Sequence, residues 1–197
     1  MLTFLILVLA LTAMAAGGTT LDCPLFHGTI LAGPSDDLGL GAWRYELTVH
    51  WDTGGNGVSH INMIVDDGEN CSEADLVSGL NFAPVAGHAD GEPDCVVDFY
   101  AMIEVNGDPS IPGVTEPLIK FEYSDDSCEL GSTGTAVLVF YSEYAPHPIM
   151  EENLFLVEKH ANNNCRGTVT GVFPGLPCSP VSSEIRTFGA LKAHYGS

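Results

Sequence analysis

The segment 43–51 constrains the fold most, because its side chains alternate strictly between apolar and polar. The apolar members are Trp43, Tyr45, Leu47, Val49 and Trp51, and the polar members are Arg44, Glu46, Thr48 and His50. Successive side chains of a β-strand point to opposite faces, so this pattern predicts a strand with one face in the core and the other facing solvent. Such half-buried strands are typical of antiparallel sheets.

The period of two recurs along the rest of the chain. Alternating or short apolar segments lie at 26–31, 58–65, 97–105, 119–123, 154–157 and 168–173. The run 136–141 is apolar throughout, which predicts a central strand covered on both faces. Helix signals are scarce, with one or two turns predicted at 72–80. Because Gly-, Pro- and Asp-rich loops separate the segments, we expect an all-β fold, an antiparallel β-sandwich of about seven or eight strands stapled by disulfides.

The N-terminal residues have the composition of an export signal. Residues 2–11 are almost wholly aliphatic, residues 2–16 carry no charge, and Ala13 and Ala15 provide the small side chains that a signal peptidase recognises. We therefore predict a signal peptide at 1–15 and a protein that is secreted, extracellular or on the cell surface; an uncleaved N-terminal anchor is the alternative. No second segment is apolar and long enough to span a membrane, so no span is expected after cleavage.

The C-terminal residues differ from the body of the chain. A β-sandwich domain is expected over 16–178, followed by a linker and an amphipathic tail over 179–197. In the tail, apolar residues recur at roughly helical spacing, at Ile185, Phe188, Leu191 and Tyr195. This spacing predicts a short helix that docks on the sandwich, the alternative being a recognition tail for a partner or an export system.

The cysteines agree with export. All six follow the predicted signal peptide: Cys23, Cys71, Cys95, Cys128, Cys165 and Cys178. In an oxidising compartment an even number predicts up to three disulfides, and none of the pairs has the C-x-x-C spacing of a zinc ribbon or a thioredoxin-type site. A disulfide between Cys71 and Cys95 would close the turn-rich segment between them into a loop, and we offer this bond as a hypothesis for one of the three disulfides.

The chain carries 26 Asp and Glu but only 6 Lys and Arg, for a formal net charge of −20. Nucleic-acid binding and polybasic membrane contact are therefore not expected, since both need clustered Lys and Arg. The charge is unevenly distributed, because Arg44 and Lys120 are the only Lys or Arg residues in 16–158 and Glu184 is the only acid in 159–197. An acidic body with a basic tail is compatible with binding cations or basic partners and with a saline environment.

Three acidic loops concentrate oxygen donors beside predicted strand ends. The carboxylates are those of Asp66, Asp67, Glu69, Asp90, Glu92, Asp94, Asp125 and Asp126. Calcium takes several such ligands, and the loops of a sandwich can supply them from distant segments, although none of these loops has the spacing of an EF-hand. The sequence therefore requires no cofactor, and calcium at one of these loops is the alternative to simple solvation.

Two histidines form a candidate transition-metal site. His50 lies on the polar face of the strand 43–51, and His60 lies on the predicted strand 58–65. If the two strands pair, the imidazoles could approach across the sheet and bind zinc or copper with a nearby carboxylate. The alternative gives one histidine a structural hydrogen bond and leaves the other solvated.

Two motifs resemble catalytic signatures. The triplet 52–54 (Asp-Thr-Gly) is that of aspartic proteases, but it occurs once and runs into the Gly-Asn-Gly of 55–57, so we predict a hairpin turn. Ser59 and His60 are adjacent, and on a strand they point to opposite faces, which excludes a nucleophile–base pair. No G-x-S-x-G elbow occurs. We therefore predict no catalytic residue.

Several short motifs, taken in order, resemble an uncharacterised secreted bacterial β-sandwich module. They are a Ser-His strand at 59–61, a GVTxxIKFE-like strand at 113–122 and a pair at 156–161 and 167–171, the last reading GTVTG. The ending at 187–195 is similar to a TWGxxKxxY-like tail of secreted bacterial proteins. The resemblance implies an exported bacterial surface or extracellular protein, and it transfers no activity and no catalytic residue.

These patterns predict a secreted, non-catalytic surface or extracellular module, with a cell-surface or extracellular protein or a glycan as its partner. A calcium- or carbohydrate-binding module is the alternative, and a metal- or aspartate-dependent hydrolase is a third hypothesis. Sugar binding would favour exposed aromatic rings, whereas Trp43 and Trp51 alternate with the core face and are expected to be buried.

Overall fold

The computed structural model describes residues 20–21, 25–65, 72–111, 113–123, 127–149, 155–160 and 163–176. The predicted signal peptide at 1–15 and the predicted tail at 179–197 lie outside these residues. The described strands are β1 (Thr20–Leu21), β2 (Leu25–Pro34), β3 (Trp43–Asp52), β4 (His60–Ile64), β5 (Gly87–Gly91), β6 (Cys95–Glu104), β7 (Leu118–Glu122), β8 (Thr133–Ser142), β9 (Pro146–Pro148), β10 (Phe155–His160) and β11 (Asn163–Pro174). One described helix, α1, covers Glu73–Gly79.

Hydrogen bonds join nine of the described strands into one curled, mixed sheet. Their order is β11–β10–β4–β7–β6–β5–β8–β3–β2, and β2 pairs with β11, so the sheet closes on itself. The β2–β11 ladder is parallel, as is the pairing of the short β1 with β11. The other ladders, including that of β9 on β11, are antiparallel.

The prediction of an all-β fold is confirmed, but that of an antiparallel sandwich of about seven or eight strands is not. A sandwich has two facing sheets with separate edges, whereas here the backbone ladder continues from strand to strand around the described sheet. A parallel ladder closes that path, so the sheet is mixed. Alternation along a strand reports which face is buried and says nothing about which strand lies beside it.

The core fills the inside of the curled sheet. The alternation predicted for β3 is confirmed, since Tyr45, Leu47, Val49 and Trp51 are buried while the intervening residues are partly exposed. The Tyr45 ring stacks on Phe140 of the neighbouring β8 with 5.1 Å between ring centroids, and its hydroxyl donates to the Tyr144 carbonyl at 2.7 Å. Tyr45 therefore links β3 to β8 and to the residues after it, as well as filling volume in the core.

The segment 105–117 folds over the outer face of β4 and β7. Its Ile111 forms a small apolar cluster with Ile64 and Leu118. All five residues of β4 are buried, with Ile61 and Met63 in the main core and the other three on the face that the loop covers. Gly107 allows the fold-back, because it has φ 72° and an added Cβ would collide with the Val114 carbonyl. This covering loop is why β4 can carry polar residues that are not exposed.

Helix α1 agrees with the turn or two predicted at 72–80. Ser72 caps its N-terminus, accepting from the backbone N–H of Asp75 while the Asp75 carboxylate accepts from the backbone N–H of Ser72. Leu76 on the inner side of the helix is buried in the core. The reciprocal cap compensates for a helix too short to be stable alone.

The described disulfide joins Cys95, at the start of β6, to Cys128, so the hypothesis of a Cys71–Cys95 bond is wrong. The backbones of Glu92 and Glu129 pair beside it, which holds the two cysteines at a Cα–Cα distance of 6.0 Å. Cys165 in β11 is also disulfide-bonded. The remaining predicted partners, Cys23, Cys71 and Cys178, lie outside the described residues.

Candidate functional site

A groove opens where the turn between β5 and β6 meets the chain that leads into β8. It consists of two cavities of about 470 and 490 Å³, which adjoin at Glu92 and Gly131. We call it the acidic groove and define it by the residues that carry its chemistry, which are His50, Asp90, Glu92, Glu129 and Thr135. Neither cavity is lined by a Lys or Arg of the described residues. The groove therefore presents negative charge and hydroxyl groups to solvent.

Two glutamates face each other at this groove. Glu92 and Glu129 form an antiparallel bridge in which the Glu92 N–H donates to the Glu129 carbonyl at 2.7 Å, with the reverse bond at 3.2 Å. Residues directly opposite in such a bridge present their side chains on the same face. The two exposed glutamate side chains therefore leave the bridge on the same face and line one cavity, so a positive charge that approaches the groove is attracted by both.

Glycines shape the floor of the groove. A Cβ on Gly131 would collide with the carboxylate of Glu92, and a Cβ on Gly134 would collide with the Trp51 ring. The Trp51 indole N–H donates to the Gly131 carbonyl at 3.0 Å, and Trp51 itself is only 2% exposed. The floor is thus anchored to the core, and the carboxylate of Glu92 lies against Gly131.

Of the eight predicted calcium ligands, three lie within the described residues and five lie outside them. Asp90 and Glu92 line the groove, and Asp94 lies in the tight turn before β6 with φ 50°. The other five, Asp66, Asp67, Glu69, Asp125 and Asp126, lie outside the described residues. Within the described residues, no group of three or more His, Cys, Asp or Glu side chains is arranged to hold a metal ion.

The predicted approach of His50 to His60 is wrong. β3 pairs with β2 and β8, whereas β4 pairs with β7 and β10, so the two histidines lie on strands that are not neighbours. His50 instead lies opposite His27 on β2, and its Nδ1 is 2.8 Å from Thr135 Oγ1. The expected β3–β4 hairpin is absent from the described sheet for the same reason.

The triplet 52–54 forms a turn, as predicted. The Asp52 carboxylate accepts from the Gly54 N–H at 2.9 Å, and the Thr53 hydroxyl donates to the Asn56 carbonyl. These local bonds are those of an Asx-type turn. Because the Asp52 oxygen is occupied in shaping the turn, the aspartate-dependent hydrolase receives no support from this segment.

A second polar cluster lies beneath the covering loop, centred on Asp108. Its carboxylate is 2.9 Å from His60 Nε2 and 3.6 Å from Lys120 Nζ. It also accepts from the Asn62 amide at 3.0 Å and from the Ser110 hydroxyl and N–H at 2.6 and 2.8 Å. His60 is 4% exposed and Asp108 1% exposed. We call these residues the Asp108 cluster.

The protonation of Asp108 is set by its partners. Burial alone would raise the pKa of this carboxyl group, but the hydrogen bonds from Ser110 and Asn62 and the positive charge of His60 outweigh it and lower the pKa to about 2. Asn62 Oδ1 is buried and makes no hydrogen bond within the described residues. The cluster thus holds an ionised carboxylate that ties the loop to β4 and β7.

One contact in this cluster contradicts the sequence prediction. The Ser59 hydroxyl is 3.2 Å from His60 Nδ1, although the two residues are adjacent. The prediction assumed that both belong to one strand, but β4 begins at His60 and Ser59 precedes it. Ser59, His60 and Asp108 therefore form a chain of hydroxyl, imidazole and carboxylate, in which a neutral imidazole with its Nε2–H directed at Asp108 can accept a proton from the hydroxyl at Nδ1.

Four residues that matter here are not marked by any pattern in the sequence, namely His27, Asp108, Glu129 and Thr135. The position of each is determined by the register between strands or by the covering loop. Neither the register nor the path of the loop can be predicted from spacings in the sequence. Asp108 followed by proline resembles an exposed turn residue, so its burial had no signal.

The chain matches no protein-family model, no curated protein and no solved structure. The resemblance to a secreted bacterial module therefore stays a prediction. None of the helical residues that the structure describes forms a helix long and apolar enough to cross a membrane.

Proposed function

We propose that the protein is a secreted, non-catalytic module that acts outside the cell or at its surface, and that it binds a basic segment of an extracellular protein partner in the acidic groove. The aliphatic N-terminus and the disulfides support export to an oxidising compartment. The observation that carries the binding proposal is that Glu92 and Glu129 lie opposite each other in a backbone bridge and that both line one open cavity.

A lysine or arginine side chain suits this groove better than a sugar or a preformed calcium site. A cation between the two carboxylates removes their repulsion and gains charge-assisted hydrogen bonds. Sugar binding receives less support, because Trp51 is buried and Trp43 packs against the core. Calcium remains an alternative occupant, since Asp90 and Glu92 line the same groove.

The binding proposal is tested by calorimetric titration of the full chain with a tetralysine peptide, and separately with calcium chloride. The test variant replaces both Glu92 and Glu129 with Gln. The matched control replaces Glu104 and Glu143 with Gln, which removes the same charge at the opposite ends of β6 and β8. We expect the peptide to bind the control like the parent and the test variant at least tenfold more weakly. Equal binding to both variants would overturn the groove assignment, and heat with calcium alone would make calcium the occupant.

Serine-dependent hydrolysis is the second candidate function, and the Ser59–His60–Asp108 contacts favour it. A fluorophosphonate probe followed by peptide mass spectrometry distinguishes it from the leading proposal. We expect no adduct on Ser59. An adduct on Ser59 that is lost in Asp108→Asn but retained in the exposed variant Asp36→Asn would show a working relay and contradict the non-catalytic proposal.

A further inference from the structure

His27 and His50 are directly opposite each other in the β2–β3 ladder. Their strand neighbours Phe26 and Trp51 point into the core, so both imidazoles lie on the outer face of the sheet, His27 exposed and His50 half-buried. Directly opposite residues on antiparallel strands have Cβ atoms roughly 5 Å apart. The register of the backbone, rather than a chance surface contact, therefore places the two rings together.

The separation of the rings suits a shared metal ion. Their centroids are 5.2 Å apart and their planes are tilted by 39°. A divalent ion at about 2.0–2.1 Å from one nitrogen of each ring lies roughly 3.2 Å from each ring centre, so a tetrahedral angle at the ion separates the centres by about 5.2 Å. The separation of the two rings therefore matches that of imidazoles sharing one ion, once side-chain rotation turns one nitrogen of each ring toward it.

A third residue orients one of the rings. Thr135 on β8 lies opposite His50 on the other side of β3, and its hydroxyl oxygen is 2.8 Å from His50 Nδ1. When Nδ1–H donates to this hydroxyl, the lone pair is on Nε2, which is then the metal-binding atom. Such an outer hydrogen bond fixes both the tautomer and the ring angle.

We propose that His27 and His50 form a two-imidazole site for a divalent transition-metal ion, with His50 positioned by Thr135 and water completing the coordination. Imidazole ligands select zinc, nickel or copper over calcium. No third His, Cys, Asp or Glu joins the pair within the described residues, so the site keeps positions open to solvent. The site overlaps the acidic groove at His50 and Thr135, but its support is the histidine geometry and not the proposed binding of a basic partner.

The test is titration of the full chain with nickel chloride and, separately, with zinc chloride, followed by calorimetry and by the NMR signals of the histidine rings. His27→Ala and His50→Ala are the test variants. His88→Ala is the matched control, because His88 is an exposed histidine on the outer face that pairs with Asp98 instead of another histidine. We expect one ion per chain, at least a tenfold loss of affinity in either test variant, and unchanged affinity in the control.

A further variant tests whether Thr135 positions the His50 ring for metal binding. Thr135→Val keeps both histidines and is expected to weaken metal binding by about tenfold. The Glu92→Gln, Glu129→Gln double variant is expected to bind the metal within about threefold of the parent, since neither glutamate is a proposed ligand. Parent-like affinity in both His27→Ala and His50→Ala, with melting temperatures showing that they are folded, would overturn the proposal. Loss in His88→Ala alone would move the site elsewhere and would equally overturn it.

Discussion

The carboxylate of Asp108 lies 2.9 Å from Nε2 of His60, and both side chains are almost completely buried. The pair joins the loop 105–117 to β4, across an outer sheet face that would otherwise be solvated. Removing one partner leaves the other as an uncompensated polar group under the loop, which costs far more than an exposed ion pair contributes.

Replacing Asp108 with Asn is therefore expected to lower the free energy of unfolding by about 3 kcal/mol. The substitution keeps the shape of the side chain but removes the charge that pairs with His60 and Lys120. Urea unfolding monitored by fluorescence measures the loss. Asp36→Asn is the matched control, because Asp36 is exposed, and a loss of the same size there would contradict the special role of Asp108.

The stability that Asp108 provides is expected to depend on pH in the acid range. The folded pKa, about 2, lies below the ordinary value of 3.8, so the contribution is fully present above pH 3.8 and is lost as pH falls through the folded value. The advantage of the parent over Asp108→Asn should shrink by about 2 kcal/mol between pH 5 and pH 2. Urea titrations at several pH values measure this difference, and an advantage that stays constant would refute the assigned pKa.

Gly107→Ala is expected to destabilise the covering loop. Gly107 has φ 72°, and the added methyl group meets the Val114 carbonyl, so the loop must shift away from β4. We expect a loss of about 2 kcal/mol in the free energy of unfolding and faster amide hydrogen exchange in β4. Gly55→Ala is the control, since an added Cβ there meets nothing within 4 Å. Similar losses in the two variants would show that the close approach of Gly107 is unimportant.

Glu92→Gln is expected to stabilise the protein in dilute buffer. The substitution removes one of two like charges on residues that lie directly opposite in a bridge, and its removal is expected to raise the free energy of unfolding by about 0.3 kcal/mol. Salt screens this repulsion, so the gain should disappear in molar sodium chloride. Thermal melts at low and high salt measure it, with Glu143→Gln as the control for net charge. A gain that persists in high salt would point to packing instead of charge.

The local structure was largely predictable and the arrangement of strands was not. Alternation along 43–51 identified the strand, its buried face and the burial of Trp51, since that information lies in neighbouring residues. The closure of the sheet by β2 and β11 depends on residues more than a hundred positions apart, and a period of two carries no information about partners. For this reason the sequence pattern predicts His60 as the neighbour of His50, whereas the structure places His27 there.

The candidate site was predictable only in part for a related reason. Asp90 and Glu92 were recognised as exposed acids beside a strand end, and both line the groove. The position of Glu129 beside them could not be predicted, because it depends on a backbone bridge to Glu92. That bridge lies next to the Cys95–Cys128 disulfide, whose pairing the sequence left open. Asp108 was missed because its burial depends on a loop crossing the outer face of two strands.

The binding of a basic segment in the acidic groove is tested most directly by NMR. The full, isotope-labelled chain is titrated with tetralysine, and the perturbed backbone amides are mapped on the structure. We predict saturable shifts concentrated at Glu92, Glu129 and Gly131, with residues near Glu104 and Glu143 unaffected. Shifts spread evenly over the acidic surface, or none at the groove, would contradict the account.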